Sequence, residues 1–137
     1  MANKILLIED DAFLAEMYLT KFSRLGYDID VAYDGISGMK KIKEDKPDLL
    51  LLDIKLPFKD GFEILKEIRK SKDFKHLPVI LLTNLGQREE IEKGRKLGAN
   101  DYLIKAHFTP QEVVNKVTRL IGSNKTKNEK LKTKNEK

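Results

Sequence analysis

Residues 47 to 61 read PDLLLLDIKLPFKDG, four consecutive leucines running into an aspartate. A strand that is apolar on both faces needs cover on both faces, the condition of a central strand in a parallel sheet flanked by helices. A buried carboxylate is costly unless something pairs with it, and an exposed one needs no hydrophobic strand to aim it. The run therefore predicts a carboxylate held at the mouth of a sheet, where chemistry can reach it.

The remainder of the chain alternates apolar strands with helical periodicity. KILLI at 4–8 reads as the first strand. Leu14, Met17, Tyr18 and Phe22 mark the stripe of a helix that stops near Gly26. YDIDVA at 27–32 alternates as a half-exposed edge strand does. Asp34 can cap a second helix with Ile36, Met39 and Ile42 facing inward. Asp60 and Glu63 form a D-x-x-E capping box before a helix that turns Phe62, Leu65 and Ile68 inward. Pro78 opens VILLT, a buried strand. A fourth helix over 87–97 is apolar only at Ile91 and Leu97. DYLI at 101–104 is the last strand. Thr109, Pro110 and Glu112 start a helix carrying Val113, Val117, Leu120 and Ile121, with Gly122 as its stop.

Five strands alternating with five helices build a parallel sheet covered on both faces. Glu9 and Asp10, Asp53 and Thr83 close their strands and Lys105 follows the last, so all gather at the edge where open α/β sheets bind ligands. No P-loop or G-x-G-x-x-G is present, so nucleotide binding has no motif support.

A chain of 137 residues makes one domain of ordinary size. The absence of cysteine excludes disulfides, thiolate metal sites and thiol nucleophiles. No run of about 18 apolar residues offers a membrane span. The opening MANKILLIEDD enters a strand at once and is unlike a signal peptide, so a cytoplasmic protein is expected. Residues 123–137 hold six lysines and two glutamates, a net of +4 out of +5 for the chain. The expected division is a folded domain over 1–122 and a lysine-rich polar tail over 123–137, in which KTKNEK occurs twice. That tail reads as a frayed helix or a disordered end. Charge confined to a tail is weak support for nucleic-acid binding by the body, so any such binding is expected to be weak and through the tail.

IEDD at 8–11, LLD at 51–53 with PFKDG at 57–61, LLT at 81–83 and YLIK at 102–105 follow in order, each at the same end of its strand. Over residues 3–121 the chain resembles the receiver domains of two-component response regulators, in particular the single-domain, chemotaxis-regulator-like ones. The resemblance implies a flavodoxin-like, doubly wound α/β fold with strand order 2-1-3-4-5. It implies that Asp53 accepts a phosphoryl group from a histidine kinase or phosphotransfer protein. It implies that Glu9, Asp10, Asp53 and the backbone carbonyl of Lys55 hold Mg²⁺, with Mn²⁺ as an alternative. Thr83 would close onto the phosphoryl group, Lys105 would pair with it, and Tyr102 would move between outward and inward positions. Output would go by contact with a downstream protein, with a homodimer through the fourth helix, last strand and fifth helix as a further implication. Such a domain catalyses its own magnesium-dependent phosphorylation and dephosphorylation without a separate catalytic output domain.

The chemistry suits these residue types. A carboxylate attacks an anionic phosphoryl donor poorly because like charges repel, and a divalent cation on hard oxygen ligands offsets that repulsion, as does the ammonium of a lysine. The fourth helix has the fewest apolar positions, so it is the element packing holds least and the natural one to move.

The chain also departs from the family pattern. Ala106 follows Lys105 where relatives carry a proline joined by a cis bond. A cis bond to alanine costs about 2.5–4 kcal/mol against about 0.5–1 for proline. The alternatives are a retained cis bond or a rearranged loop, and the need for Lys105 to reach the same point favours cis. Asn84 stands where a small residue is usual, and Lys55 and Leu85 occupy positions that tune the lifetime of the phosphorylated state. Ala106 and Asn84 favour a second reading, a degenerate receiver acting as a phosphorylation-independent binding module. Asp11 reads as a helix cap, His76 and His107 as surface residues, and Phe58 and Phe108 as either packing around the site mouth or anchoring loops.

Overall fold

A computed structural model describes residues 4–84 and 87–121. Five parallel strands, β1 (Lys4–Ile8), β2 (Asp28–Ala32), β3 (Leu49–Asp53), β4 (Val79–Thr83) and β5 (Asp101–Ile104), lie in the order β2-β1-β3-β4-β5. Between them run α1 (Ala12–Arg24), α2 (Gly35–Asp45), α3 (Gly61–Lys70) and α4 (Arg88–Lys96). The described part of α5 covers 110–121. This is the expected flavodoxin-like fold, with β2 at an edge and half exposed. The tail over 123–137, Gly122 and Leu85 lie outside the described residues.

The four leucines of β3 explain the two layers. Leu49 and Leu51 enter one core with Ala15, Tyr18 and Phe22 of α1 and Val113, Val114 and Val117 of α5. Leu50 and Leu52 enter the other with Met39 and Ile42 of α2 and Ile64, Leu65 and Ile68 of α3. Each fully buried leucine contributes about 1.5–3 kcal/mol relative to exposure, so β3 fastens both helical layers.

Local signals set the helix starts. Asp11 accepts from Leu14 N at 3.1 Å and Asp34 from Ser37 N at 2.7 Å. Asp60 and Glu63 complete the capping box, and Thr109 and Glu112 exchange the same pair of bonds at the start of α5. One inward assignment needs correction: Ile36 is 60 % exposed. The buried stripe of α2 is Gly35, Gly38, Met39 and Ile42. A Cβ at Gly38 would sit 2.4 Å from Ile8 Cδ1, so glycine lets α2 lie close to β1 and rotates Ile36 outward.

Candidate functional site

The register of the sheet assembles the site. Ile8 pairs with Leu52, which sets Glu9 beside Asp53 one step beyond. Asp53 pairs with Leu82, so Thr83 ends one residue further on, and Thr83 pairs with Ile104, directly before Lys105. Glu9 N donates to Ala32 O at 3.0 Å and holds the β1 terminus in line. The turn after Asp53 is equally fixed: Ile54 N donates to Leu82 O at 3.2 Å and Gly61 N to Ile54 O at 2.7 Å. Gly61 is obligatory there, because a Cβ would meet Asp53 O at 2.4 Å.

Glu9, Asp53, Thr83 and Lys105 are the buried polar residues among those described, and Asp10 beside them is exposed. Lys105 Nζ donates to Glu9 Oε1 at 2.6 Å and to Asp53 Oδ2 at 3.1 Å. Burial of its charge opposes protonation, but Asp53 and Glu9 outweigh that and raise the Lys105 pKa. Glu9 is pushed up to about 7, first by burial and then by Asp53, against the pull of Lys105. Burial and Glu9 raise Asp10 in the same direction. One ammonium thus serves several crowded carboxylates, and the cluster favours additional positive charge.

Glu9, Asp10 and Asp53 each offer an oxygen, all within 4.8 Å of one another. A set of hard carboxylate oxygens at that spacing fits a divalent cation such as Mg²⁺. Lys55 lines a groove of about 520 Å³ beside the cluster, together with Asp10, Leu56, Pro57 and Asp60. Burial raises the pKa of the Tyr102 phenol, and the nearby Thr83 side chain offsets part of that. The phenol oxygen is buried and meets no partner at bonding geometry among the described residues. Asn84 is exposed.

The Lys105–Ala106 bond is not cis, contrary to expectation: the described residues contain no cis peptide bond. A 3-10 turn over Lys105–His107 follows β5 directly, closed by Phe108 N donating to Lys105 O at 3.1 Å. The turn delivers Lys105 to both carboxylates, so the cost of a cis alanine bond is avoided.

Two features of the site had no signal in the sequence. Lys105 ties Glu9 as well as Asp53, a pairing visible only once β1 and β5 are placed. Phe58, between β3 and α3, has φ 70° and is 82 % exposed. The left-handed region costs a residue with a Cβ roughly 1–2 kcal/mol.

A parallel sheet of this order with an acidic cluster and one buried lysine at its carboxyl edge defines a class of phosphoacceptor domain. The family model for the response regulator receiver domain matches residues 5–118, and the chain belongs to that family. The receiver domain of the Francisella response regulator 1452 is 34% identical, with TM-score 0.79, covering 89% of this chain and 98% of that one. The BeF3-activated N-terminal receiver domain of Klebsiella pneumoniae RstA is 33% identical, with TM-score 0.76 and coverage of 86% and 97%. The receiver domain of sensor histidine kinase PA1611 from Pseudomonas aeruginosa PAO1, with a magnesium ion coordinated in its active-site cleft, is 30% identical, with TM-score 0.77 and coverage of 89% and 99%. The acidic cluster is that of a receiver-domain phosphoacceptor site, which acts in phosphorelay signalling. No helix among the described residues is long and apolar enough to cross a membrane.

Proposed function

We propose that this chain is a cytoplasmic phosphoacceptor switch in which Asp53 takes a phosphoryl group from the histidine of a kinase or phosphotransfer protein. The observation that carries this reading is the Glu9–Asp10–Asp53 cluster with Lys105 bridging two of its members. Asp53 is the nucleophile, and the product is an acyl phosphate. Glu9, Asp10, Asp53 and the carbonyl of Lys55 hold Mg²⁺, or Mn²⁺ in its place. Bound there, the cation supplies positive charge that offsets repulsion between the acceptor and the donor. Lys105 leaves Glu9 for the incoming phosphoryl oxygens, and the Thr83 hydroxyl donates to another of them. Movement at Thr83 carries the start of α4 with it, and Tyr102 registers the change. The site by itself catalyses phosphorylation and, later, hydrolysis.

The functional unit on this reading is residues 1–122, with 123–137 as a basic appendage. A downstream protein, or a second copy, reads the face formed by α4, β5 and α5. Any attraction for nucleic acid is confined to the tail, so removing 123–137 abolishes it together with its salt dependence.

The test is intact mass after incubation with acetyl phosphate and magnesium, comparing wild type with Asp53→Asn and with EDTA-treated protein. A gain of about 80 Da, one phosphoryl group, is expected only in wild type with magnesium. No adduct after rapid quenching favours the degenerate binding module, the reading that Ala106 in place of proline supports.

A further inference from the structure

We propose that Phe58 is the recognition anchor for the protein that delivers the phosphoryl group, packing against apolar surface beside that protein's phosphohistidine. This inference rests on the phosphoacceptor reading above.

Phe58 is disfavoured by folding on two independent counts. Its ring is 82 % exposed, and its backbone sits at φ 70°. Glycine or asparagine would adopt that conformation more readily, and either would leave less apolar surface in water. The identity of the residue is therefore not explained by the stability of the fold, and such strained positions gather at ligand clamps. The loop that presents it is held firmly. Gly35 N donates to Pro57 O at 3.2 Å, Lys59 N to Pro57 O at 2.8 Å, and Lys59 pairs with Glu67. Tyr33 and Ile36, on either side of Gly35, are also exposed. A rigid aromatic on a fixed frame loses little freedom on binding, the profile of an interface hot spot.

The location selects the occupant. Asp53 is buried at the end of β3, and Phe58 lies in the loop directly after it, between Pro57 and Asp60, which line the groove beside Asp10. A donor protein must bring its phosphorus to an Asp53 oxygen, so its surface is pressed against this loop. In that step the N–P bond of phosphohistidine breaks, the O–P bond to Asp53 forms, and the imidazole nitrogen keeps the electron pair. A small donor reaches Asp53 without needing the ring.

The experiment compares wild type, Phe58→Asn and Phe58→Trp. Each receives phosphoryl groups from acetyl phosphate with magnesium and from a panel of purified histidine-phosphorylated phosphotransfer domains. For the panel member that serves wild type fastest, Phe58→Asn is expected to slow transfer at least tenfold, and Phe58→Trp to stay within threefold. Labelling by acetyl phosphate should stay within twofold in all three, and Phe58→Asn should melt no lower than wild type. Equal transfer rates to wild type and Phe58→Asn overturn the inference, as does an equal loss with both kinds of donor. A panel from which nothing transfers to wild type that acetyl phosphate labels also overturns it. Loss of a dimer in Phe58→Asn with transfer unchanged assigns the loop to a second copy instead. Wild type that acetyl phosphate does not label at Asp53 refutes the phosphoacceptor reading itself, a distinct result.

Discussion

α3 and α4 are adjacent and pack on the same side of the sheet, yet they are held in opposite ways. α3 begins with a complete capping box and buries Gly61, Ile64, Leu65 and Ile68. α4 follows Gln87, whose side chain makes no capping bond, and Gly94 is its one buried residue. What fastens α4 lies at its far end. Arg69 of α3 donates to Gly98 O through Nε at 3.0 Å and Nη2 at 2.8 Å, and Nη2 also donates to Asn100 Oδ1 at 3.0 Å. Asn100 Oδ1 in turn accepts from Val79 N at 2.9 Å. The rigid helix follows the strand that carries Asp53, and the weakly held helix end follows Thr83. Elements that move are drawn from the low-stability end of a fold, so the difference separates the part that keeps the site in shape from the part free to report on it.

The largest expected effect tests that contrast by truncation. Leu65→Ala should lose about 2–5 kcal/mol in urea unfolding, because a fully buried leucine leaves a cavity. Ile91→Ala in α4 removes a half-buried side chain and should lose about 1 kcal/mol or less. Similar losses from both would erase the distinction. Glycine substitution probes the same contrast at closer range. Gly61→Ala drives a Cβ against a backbone oxygen of Asp53 and should cost about 1–3 kcal/mol while slowing labelling by acetyl phosphate. Gly94→Ala brings a Cβ to 2.4 Å from Cδ1 of the buried Leu81, a side-chain end in place of a backbone oxygen, and helix propensity returns up to about 1 kcal/mol. Its net cost should be the smaller of the two by the same measurement.

Charge in the site gives an effect on the order of 2 kcal/mol, readable as a pH slope. The folded pKa of Glu9, about 7, lies above the ordinary carboxylate value of 4.5. Between those values the folded chain binds more protons than the unfolded chain, so stability falls as pH rises. Burial raises the Asp30 pKa, but Lys41 and Val31 N outweigh it and hold it low, so its stabilisation is complete above about pH 4, is lost only as pH falls below that, and adds no slope in this window. In EDTA the urea midpoint should therefore drop from pH 5 to pH 8. Glu9→Gln should flatten the drop, and magnesium should diminish it. A midpoint that rises over this range would contradict the crowding of carboxylates around Lys105.

Much of this architecture was legible because its signals are local or repeat along one strand. The leucines of β3 show both faces at once, and the caps at Asp34, Asp60 and Thr109 lie within a turn of the helices they start. The polar strand ends converge because parallel register carries Glu9, Asp53, Thr83 and Lys105 to one edge. What escaped depends on partners distant in sequence. Ile36 looked like a core residue until Gly38 was seen to face Ile8. Ala15 is fully buried while Leu14 and Met17 are only half-buried, an order that the spacing of the larger apolar residues does not reveal. The 3-10 turn at Lys105 and the left-handed backbone at Phe58 have no periodicity to betray them.

The smallest expected effect exchanges the helix ends. Asp60→Ala removes the acceptor of Glu63 N, a bond of 2.9 Å, and should cost about 1 kcal/mol. Gln87→Asp supplies α4 with the capping carboxylate it lacks and places negative charge at its amino end, for a gain of about 0.5–1 kcal/mol. The two substitutions should have opposite signs in urea unfolding. They should also differ in hydrogen exchange: Asp60→Ala loosens the first turn of α3, whereas Gln87→Asp protects the first turn of α4 and leaves the Arg69 end unchanged. If the weak hold on the amino end of α4 is what lets it follow Thr83, protecting that turn should reduce the exchange difference between phosphorylated and unphosphorylated protein. A new cap that stabilises the chain but leaves that difference intact would mean that α4 moves as a whole, with the bonds from Arg69 yielding along with its free end.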